Sequence, residues 1–371
     1  MQNGGSPQRF SKQGRGSTPV TLQQRLGIEL PIIQAPMAGA QGHALAAAVC
    51  NAGGLGSLPC AMLTAEGLQA ELAALTSATQ RPFNVNFFCH KSPEPDAARE
   101  AGWRQALAPF YREFGVDAQA IPPGAGRAPF SDAMADVLEP FRPAVVSFHF
   151  GLPSDALLAR VKSWGSKVMC SATTVEEALW LEARGVDILI AQGLEAGGHR
   201  GHFLSMDLTR QSGTFALLPQ MVQAVSIPVV AAGGIADAQG IRAAMTLGAL
   251  GAQLGTAYLL CPESLISDLH RAALHRAASQ GPEASHTALT NLFTGRPARG
   301  IVNRVMRELG PLNDAVPAFP LATTAIGPLR AAVEKQGSGD FTPLWCGQNP
   351  SGCRAIPAGE LTHQLGADLN A

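Results

Sequence analysis

The chain lacks most signatures that would assign it at a glance. No span of about eighteen uncharged apolar residues argues for a membrane helix. Met1 to Pro19 carries Arg9, Lys12 and Arg15 among Gly, Ser and Gln, with no apolar core. That stretch is no ordinary secretory signal and reads as a disordered tail, with an organelle transit peptide as the second reading. Neither sign of charge dominates: 27 basic against 28 acidic side chains leave a net −1, without long single-sign blocks. Nucleic acid and anionic membrane surfaces therefore gain no support as partners. The seven cysteines (Cys50, Cys60, Cys89, Cys170, Cys261, Cys346 and Cys353) are scattered, with no CxxC pair. A reduced, cytoplasmic setting is the plain expectation. With no HExxH and no His/Cys ligand spacing, no protein-bound metal is expected. The absence of a GxSxG elbow, and of a cysteine in a nucleophile motif, removes the hydrolases. Tyrosine is scarce, at Tyr111 and Tyr258 only.

What is present is strand and helix in alternation. Short β-rich runs occur at Ile32–Gln34, Leu55–Ser57, Phe83–Phe87, Ala144–Phe148, Lys167–Ala172, Ile188–Gln192, Val229–Gly233 and Gly251–Gly255. Ala- and Leu-rich segments of helical period, such as Ala44–Asn51, Thr174–Gly185 and Asp237–Gly248, separate them. Eight such units in 371 residues predict an α/β fold, a (β/α)8 TIM-type barrel. A doubly wound open sheet competes, but no GxGxxG turn follows the first strand. The barrel is expected over 20–260, with an inserted helical segment at about 90–143 around Trp103, Phe110, Tyr111 and Pro122-Pro123-Gly124. The irregular, Pro-rich 261–371 is expected to form a C-terminal cap or small second domain with a tail.

The polar groups gather at strand ends. The strand Val186–Ala191 runs into Gln192-Gly193-Leu194-Glu195-Ala196-Gly197-Gly198-His199-Arg200-Gly201. Two readings stand for that stretch: a glycine-rich surface turn with an incidental histidine, or a loop whose backbone approaches a ligand beside His199. Gln34, Asn86, Ser147 and His149 end other strands, and in such a barrel strand ends converge on one pocket. After the last two strands come Ala232-Gly233-Gly234 and Gln253-Leu254-Gly255-Thr256. Backbone N–H groups there can hold a phosphate without a lysine, although glycine also serves tight βα turns. With amides such as Asn86 and Gln192 on the rim, able to donate and accept, flavin mononucleotide (FMN) fits the pocket. Arg200, Arg296, Arg299 and Arg304 offer themselves to a substrate carboxylate, or else form surface pairs.

The motifs Gln34-Ala35-Pro36-Met37-Ala38-Gly39, Asn84-Val85-Asn86-Phe87-Phe88, Ser147-Phe148-His149-Phe150-Gly151, Glu195 to Gly201, Ala232-Gly233-Gly234-Ile235 and Trp345-Cys346-Gly347-Gln348 resemble those of the nitronate monooxygenase (2-nitropropane dioxygenase) family, in particular its first class. The likeness spans Thr21 to Gln348. It implies an FMN-binding barrel that oxidises alkyl nitronates, propionate 3-nitronate among them, with O2 to a carbonyl compound and nitrite, as in nitroalkane detoxification. Carried residue by residue, it implies a flavin site at Met37, Ala38, Asn86, Gln192 and Gly197. The phosphate would lie at Gly233, Gly234, Gln253, Leu254, Gly255 and Thr256, His199 would be the catalytic histidine, and His149 would stand beside the substrate. The chain departs from the pattern at Ala40, where another glycine is expected, and at Phe319, where relatives carry tyrosine. A monomer or homodimer acting on a small nitronate and O2 is the expected state. The alternative function is a flavin-dependent enoyl-acyl carrier protein reductase using NAD(P)H, which shares the histidine loop. A non-catalytic flavin carrier on the same barrel is the third.

Overall fold

A computed structural model describes residues 20–121 and 127–370. The Met1 to Pro19 tail and Pro122-Pro123-Gly124 lie outside the described residues. The strands are β1 (Ile32–Gln34), β2 (Ser57–Pro59), β3 (Asn84–Phe88), β4 (Val145–His149), β5 (Lys167–Ala172), β6 (Ile188–Gln192), β7 (Gly198–His199), β8 (Val229–Ala232), β9 (Ala252–Leu254), β10 (Thr287–Thr290) and β11 (Ala298–Ile301). Eight of them form one parallel sheet in the order β1-β9-β8-β6-β5-β4-β3-β2. Its two edges meet at a parallel bridge between Ile33 and Leu55, where the Leu55 N–H donates to Ile32 O and the Gln34 N–H to Leu55 O, each at 2.9 Å. This is the nearly closed (β/α)8 barrel that the alternation predicts. The remaining strands, β10-β11-β7, form a small antiparallel sheet at the barrel mouth.

Helix starts are written locally. Thr64, Ser131, Ser154, Thr174 and Asp237 each accept the backbone N–H three residues ahead, which satisfies a donor the helix cannot use itself. Strand interiors carry apolar side chains on both faces, as a parallel sheet covered by helices requires. One set, Val85, Phe87, Val146, Phe148, Val168, Cys170, Leu189 and Val229, packs under the helices. The other, Ile33, Leu55, Val145, Met169, Ile188, Ile190 and Val230, fills the barrel interior. Leu22 and Leu26 of the short helix Leu22–Leu26 plug its lower end.

Two boundaries differ from the expectation, for packing reasons. Helix Asp132–Leu138 packs between Ala65–Ala78 and Asp155–Ser163, so it is a helix of the barrel ring, and the excursion within 90–143 narrows to the stretch around Ala97–Glu113. At the other end, helix Ala358–Asn370 docks against His43–Asn51 and Ala238–Thr246. Its Leu361 and Leu365 cover Ile32, Leu45, Val49 and Leu254, apolar groups that would otherwise face water. The last helix thus completes the ring, and the cap is an insertion before it. Excursion and cap share one core: Trp103, Leu107 and Phe110 pack with Leu292, Phe293, Ile326, Leu329 and Phe341. Among the described residues no helix is long and apolar enough to cross a membrane.

Candidate active site at the carboxyl ends of the strands

Strand parity builds the chamber. Side chains alternate, so the face that carries Val145 also carries Ser147 and His149, and the face of Asn84 carries Asn86 and Phe88. Register then sets neighbours: Asn86 lies beside Ser147, Phe88 beside His149, Ser171 beside Ile190, and Gln192 beside Ala232, which pairs with Gln253. Apolar layers below give way to polar ones near the mouth. Asn86 Nδ2 donates to Ser147 Oγ (2.9 Å) and Ser147 O (3.2 Å). Gln34, the other strand-end amide, is spent on structure, exchanging hydrogen bonds with Gln41 and accepting the Ser57 N–H at 3.0 Å.

The loop after β6 is pinned from three sides. Gln192 Nε2 donates to His199 O (2.9 Å), while its Oε1 accepts the Gly201 N–H (2.7 Å). His149 donates from Nε2 to the same His199 carbonyl (3.3 Å), and its Nδ1 meets Ser171 Oγ at 2.9 Å, so protein partners take both ring nitrogens. His199 Nε2 lies 2.9 Å from Thr294 Oγ1, a group from the cap. The loop glycines have specific reasons. A Cβ on Gly201 would stand 2.7 Å from His149 Cε1, and one on Gly197 would stand 2.6 Å from Gly347 N. The close approach is therefore to an imidazole and to a neighbouring backbone, while Gly198 supplies a positive φ of 70°. Arg200 is fully buried and donates to Gly193 O, Gln192 O and Gln211 Oε1 at 2.6, 2.8 and 2.8 Å, locking the loop base.

Around His199 stands an aromatic wall. Phe319 lies 5.4 Å from the His199 ring centroid and 4.8 Å from His90, while Phe150 lies 4.4 Å from His149 and 6.0 Å from His199. Phe88 closes the group, 5.8 Å from His149. Phe150 adopts φ 70°, a strained conformation for a bulky side chain, and its ring is held by the Arg296 guanidinium 4.0 Å away. Arg127 faces the Phe319 ring at 5.7 Å. Burial, reinforced by Arg127, His149, Arg296 and His90, lowers His199 well below the ordinary histidine value. Burial and then Arg296 push His149 down to about 3. Both imidazoles are therefore neutral at pH 7, in a chamber whose fixed charges are arginines.

The opposite rim is made of backbone. Gly233 and Gly234 both take positive φ (112° and 74°) after β8, and Gly255 and Thr256 follow β9. Thr256 Oγ1 accepts the Gly347 N–H at 3.0 Å, and a Cβ on Gly255 would lie 3.7 Å from Met37 Sδ. Gln253 on β9 keeps a buried Oε1 without a partner. Ala38 follows Met37 in the turn after β1, and Leu254 ends β9 with its side chain in the core. A cavity of 290 Å³ opens beside Gly233 and Gly234, walled by Glu195, Thr214, Ile235 and Asn349. The helix N-terminus at Thr214 is already filled: the Glu195 carboxylate accepts the Thr214 N–H and hydroxyl at 2.8 and 2.9 Å. The other candidate arginines are committed, Arg299 to Leu194 O (3.0 Å) and Arg304 to Glu113 (2.7 Å); Arg296 alone borders the chamber. Sequence reasoning passed over Ser171, although the parity of Met169 would have pointed to it. It also passed over Thr294, His90 and Arg127, which lie in irregular segments without a pattern to read. Among the described residues no His/Cys/Asp/Glu group is placed to hold a metal.

A family model described as nitronate monooxygenase matches residues 20–368. A nitronate monooxygenase of Paraburkholderia phytofirmans is 43% identical over 351 residues, covering 93% of each chain. One of Pseudomonas aeruginosa is 43% identical over 350 residues, covering 93% of this chain and 97% of its own. The chain belongs to the nitronate monooxygenase family. Among solved structures, a nitroalkane oxidase from Streptomyces ansochromogenes has a TM-score of 0.83 at 42% identity, covering 92% of this chain and 96% of that one. A FabK variant from Thermotoga maritima has a TM-score of 0.68 at 26% identity, covering 95% and 97%. The nitronate monooxygenase match runs through barrel and cap alike, so it takes in both walls of the chamber, Gln192 to Gly201 and Thr294 to Phe319.

Proposed function

We propose that this nitronate monooxygenase family member uses FMN to oxidise alkyl nitronates with O2, giving a carbonyl compound and nitrite. One observation carries the reading: His199 stands in a buried, arginine-flanked aromatic chamber, across the mouth from a backbone cradle. The residues present suit FMN. Gly233 and Gly234, both at positive φ, and Gly255-Thr256 would take the phosphate. The orphaned Gln253 Oε1, with Asn86 and Gln192, would meet polar edges of the group, and Met37, Ala38 and Gly197 would line it. When bound, FMN supplies electron transfer from the nitronate to O2.

The protein's own contribution is to bind and orient. A nitronate is an anion, and buried Arg296 with half-buried Arg127 gives the chamber the opposite sign. For a neutral nitroalkane, neutral His199 can accept the α-proton as general base. His149, with both nitrogens engaged, acts through the His199 carbonyl. The phenyl rings of Phe88, Phe150 and Phe319 exclude water and favour a small alkyl group.

The test is an absorbance spectrum of the purified protein followed by anaerobic mixing with ethyl nitronate. A yellow protein that releases one FMN and bleaches on mixing supports the reading. Rapid anaerobic bleaching by NADH would instead favour the enoyl reductase alternative, for which FabK is the more distant structural neighbour.

A further inference from the structure

We propose that Thr294 is a positioning residue that fixes the tautomer of His199, holding the proton on Nε2 and leaving Nδ1 as the atom that meets substrate. Thr294 is 4% exposed and reaches the chamber from the cap, just before Gly295 at φ 89°. Its Oγ1 lies 2.9 Å from His199 Nε2 and 3.4 Å from Arg296 O. A hydroxyl has one proton, and a carbonyl can only accept. Assigning the Thr294 proton to Arg296 O leaves Oγ1 to accept the N–H of His199 Nε2. No second group competes for the ring: among the described residues Nδ1 makes no hydrogen bond, and the imidazole as a whole is neighboured by the rings of Phe150, Phe319 and Trp345. The backbone is fixed separately, by Gln192 and His149 on the His199 carbonyl and by the pairing of His199 with Ala298. Only the imidazole's rotation and tautomer remain free, and Thr294 sets both.

The consequence rests on the functional reading above. With a neutral nitroalkane, the α-carbon proton moves to Nδ1, the C–H electron pair becomes the C=N bond of the nitronate, and the ring becomes an imidazolium still donating from Nε2 to Thr294. With a preformed nitronate no proton moves, and Thr294 matters less.

The experiment uses the flavin-loaded wild type with Thr294→Val and Thr294→Ser. Two-bond 15N–1H spectra report the tautomer, with His199 signals assigned by their loss in His199→Asn. The expected wild-type pattern is protonated Nε2 and bare Nδ1, kept by Thr294→Ser and mixed or inverted in Thr294→Val. Turnover of nitroethane should fall about tenfold in Thr294→Val, the low end of what is lost when the hydrogen-bond partner that orients a metal-ligating histidine is removed. Turnover of ethyl nitronate should fall by much less, and serine should restore both. A wild-type Nδ1–H pattern overturns the proposal whatever becomes of the Thr294 variants. So does a Thr294→Val protein with an unchanged spectrum and equal losses on both substrates. If the spectra come out as expected but the wild type oxidises neither substrate, the functional reading falls and the tautomer assignment stands.

Discussion

The two halves of the barrel mouth are built by opposite means. Strands β3 to β6 deliver side chains: Asn86, Phe88, His149, Ser171 and Gln192 project inward from consecutive, in-register strands. Strands β8 and β9 deliver mostly backbone, with Gly233, Gly234 and Gly255 at their ends. The first half can tune charge and proton position, because its polar side chains are locked by hydrogen bonds to neighbouring side chains and backbone. The second half presents N–H groups that cannot be altered by a side-chain change, only by a change of backbone shape. Substitutions on the histidine side should therefore alter chemistry with the cofactor retained. Those on the glycine side should alter retention and leave the chemistry of the loaded fraction intact.

The sharpest way to break that contrast is His199→Asn. Turnover of nitroethane should drop about 100- to 1,000-fold, the cost of losing one preorganised group, with flavin absorbance per mole unchanged. Flavin loss in this variant would mean the halves are not separable. Acid stability probes the same side. His149 is pushed down to about 3 from an unfolded value of 6.5, and His199 is lowered too. Both are neutral in either state above about pH 6.5, so their full stability contribution is present there. Below it the unfolded chain binds protons that the fold refuses, and stability falls as pH drops toward 3, by about 1.4 kcal/mol per pH unit for each such group. Thermal melts between pH 7 and 5 should show this slope, and His149→Gln should flatten it.

On the glycine side, Gly234→Ala places a Cβ 3.3 Å from Glu195 Cβ at a φ of 74°. A left-handed backbone costs an L-residue about 1–2 kcal/mol, so FMN affinity should weaken about tenfold. The rate per bound flavin should stay near wild type; a slower loaded enzyme would show that the cradle reaches into the chemistry. The smallest effect is expected from Arg304→Met. Its pair with Glu113 is partly exposed, so stability should change by about 1 kcal/mol or less, with both activities untouched.

Much of this could be read from residues alone. The β-branched runs and their spacing specify eight parallel strands because a strand covered on both faces must be apolar throughout. The motif around His199 and the glycines after β8 and β9 are local, and so they are visible. Sequence pattern alone puts Asp132–Leu138 in the insertion and Ala358–Asn370 in the tail, because a seven-residue helix and a distant C-terminal one look alike in sequence wherever they dock. Their place in the ring is a matter of which apolar face needs covering.

Periodicity, and composition over a few residues, are enough to specify the barrel, the identity of the rim residues and the lack of a metal motif. It takes the folded chain to show that Gly201 admits the His149 ring, that Glu195 caps a helix, and that Thr294 meets His199 across 95 positions of chain. Such pairings are set by the closure of the barrel and the return of the cap over its mouth. No local pattern encodes a contact whose two partners are brought together by the folding of everything between them.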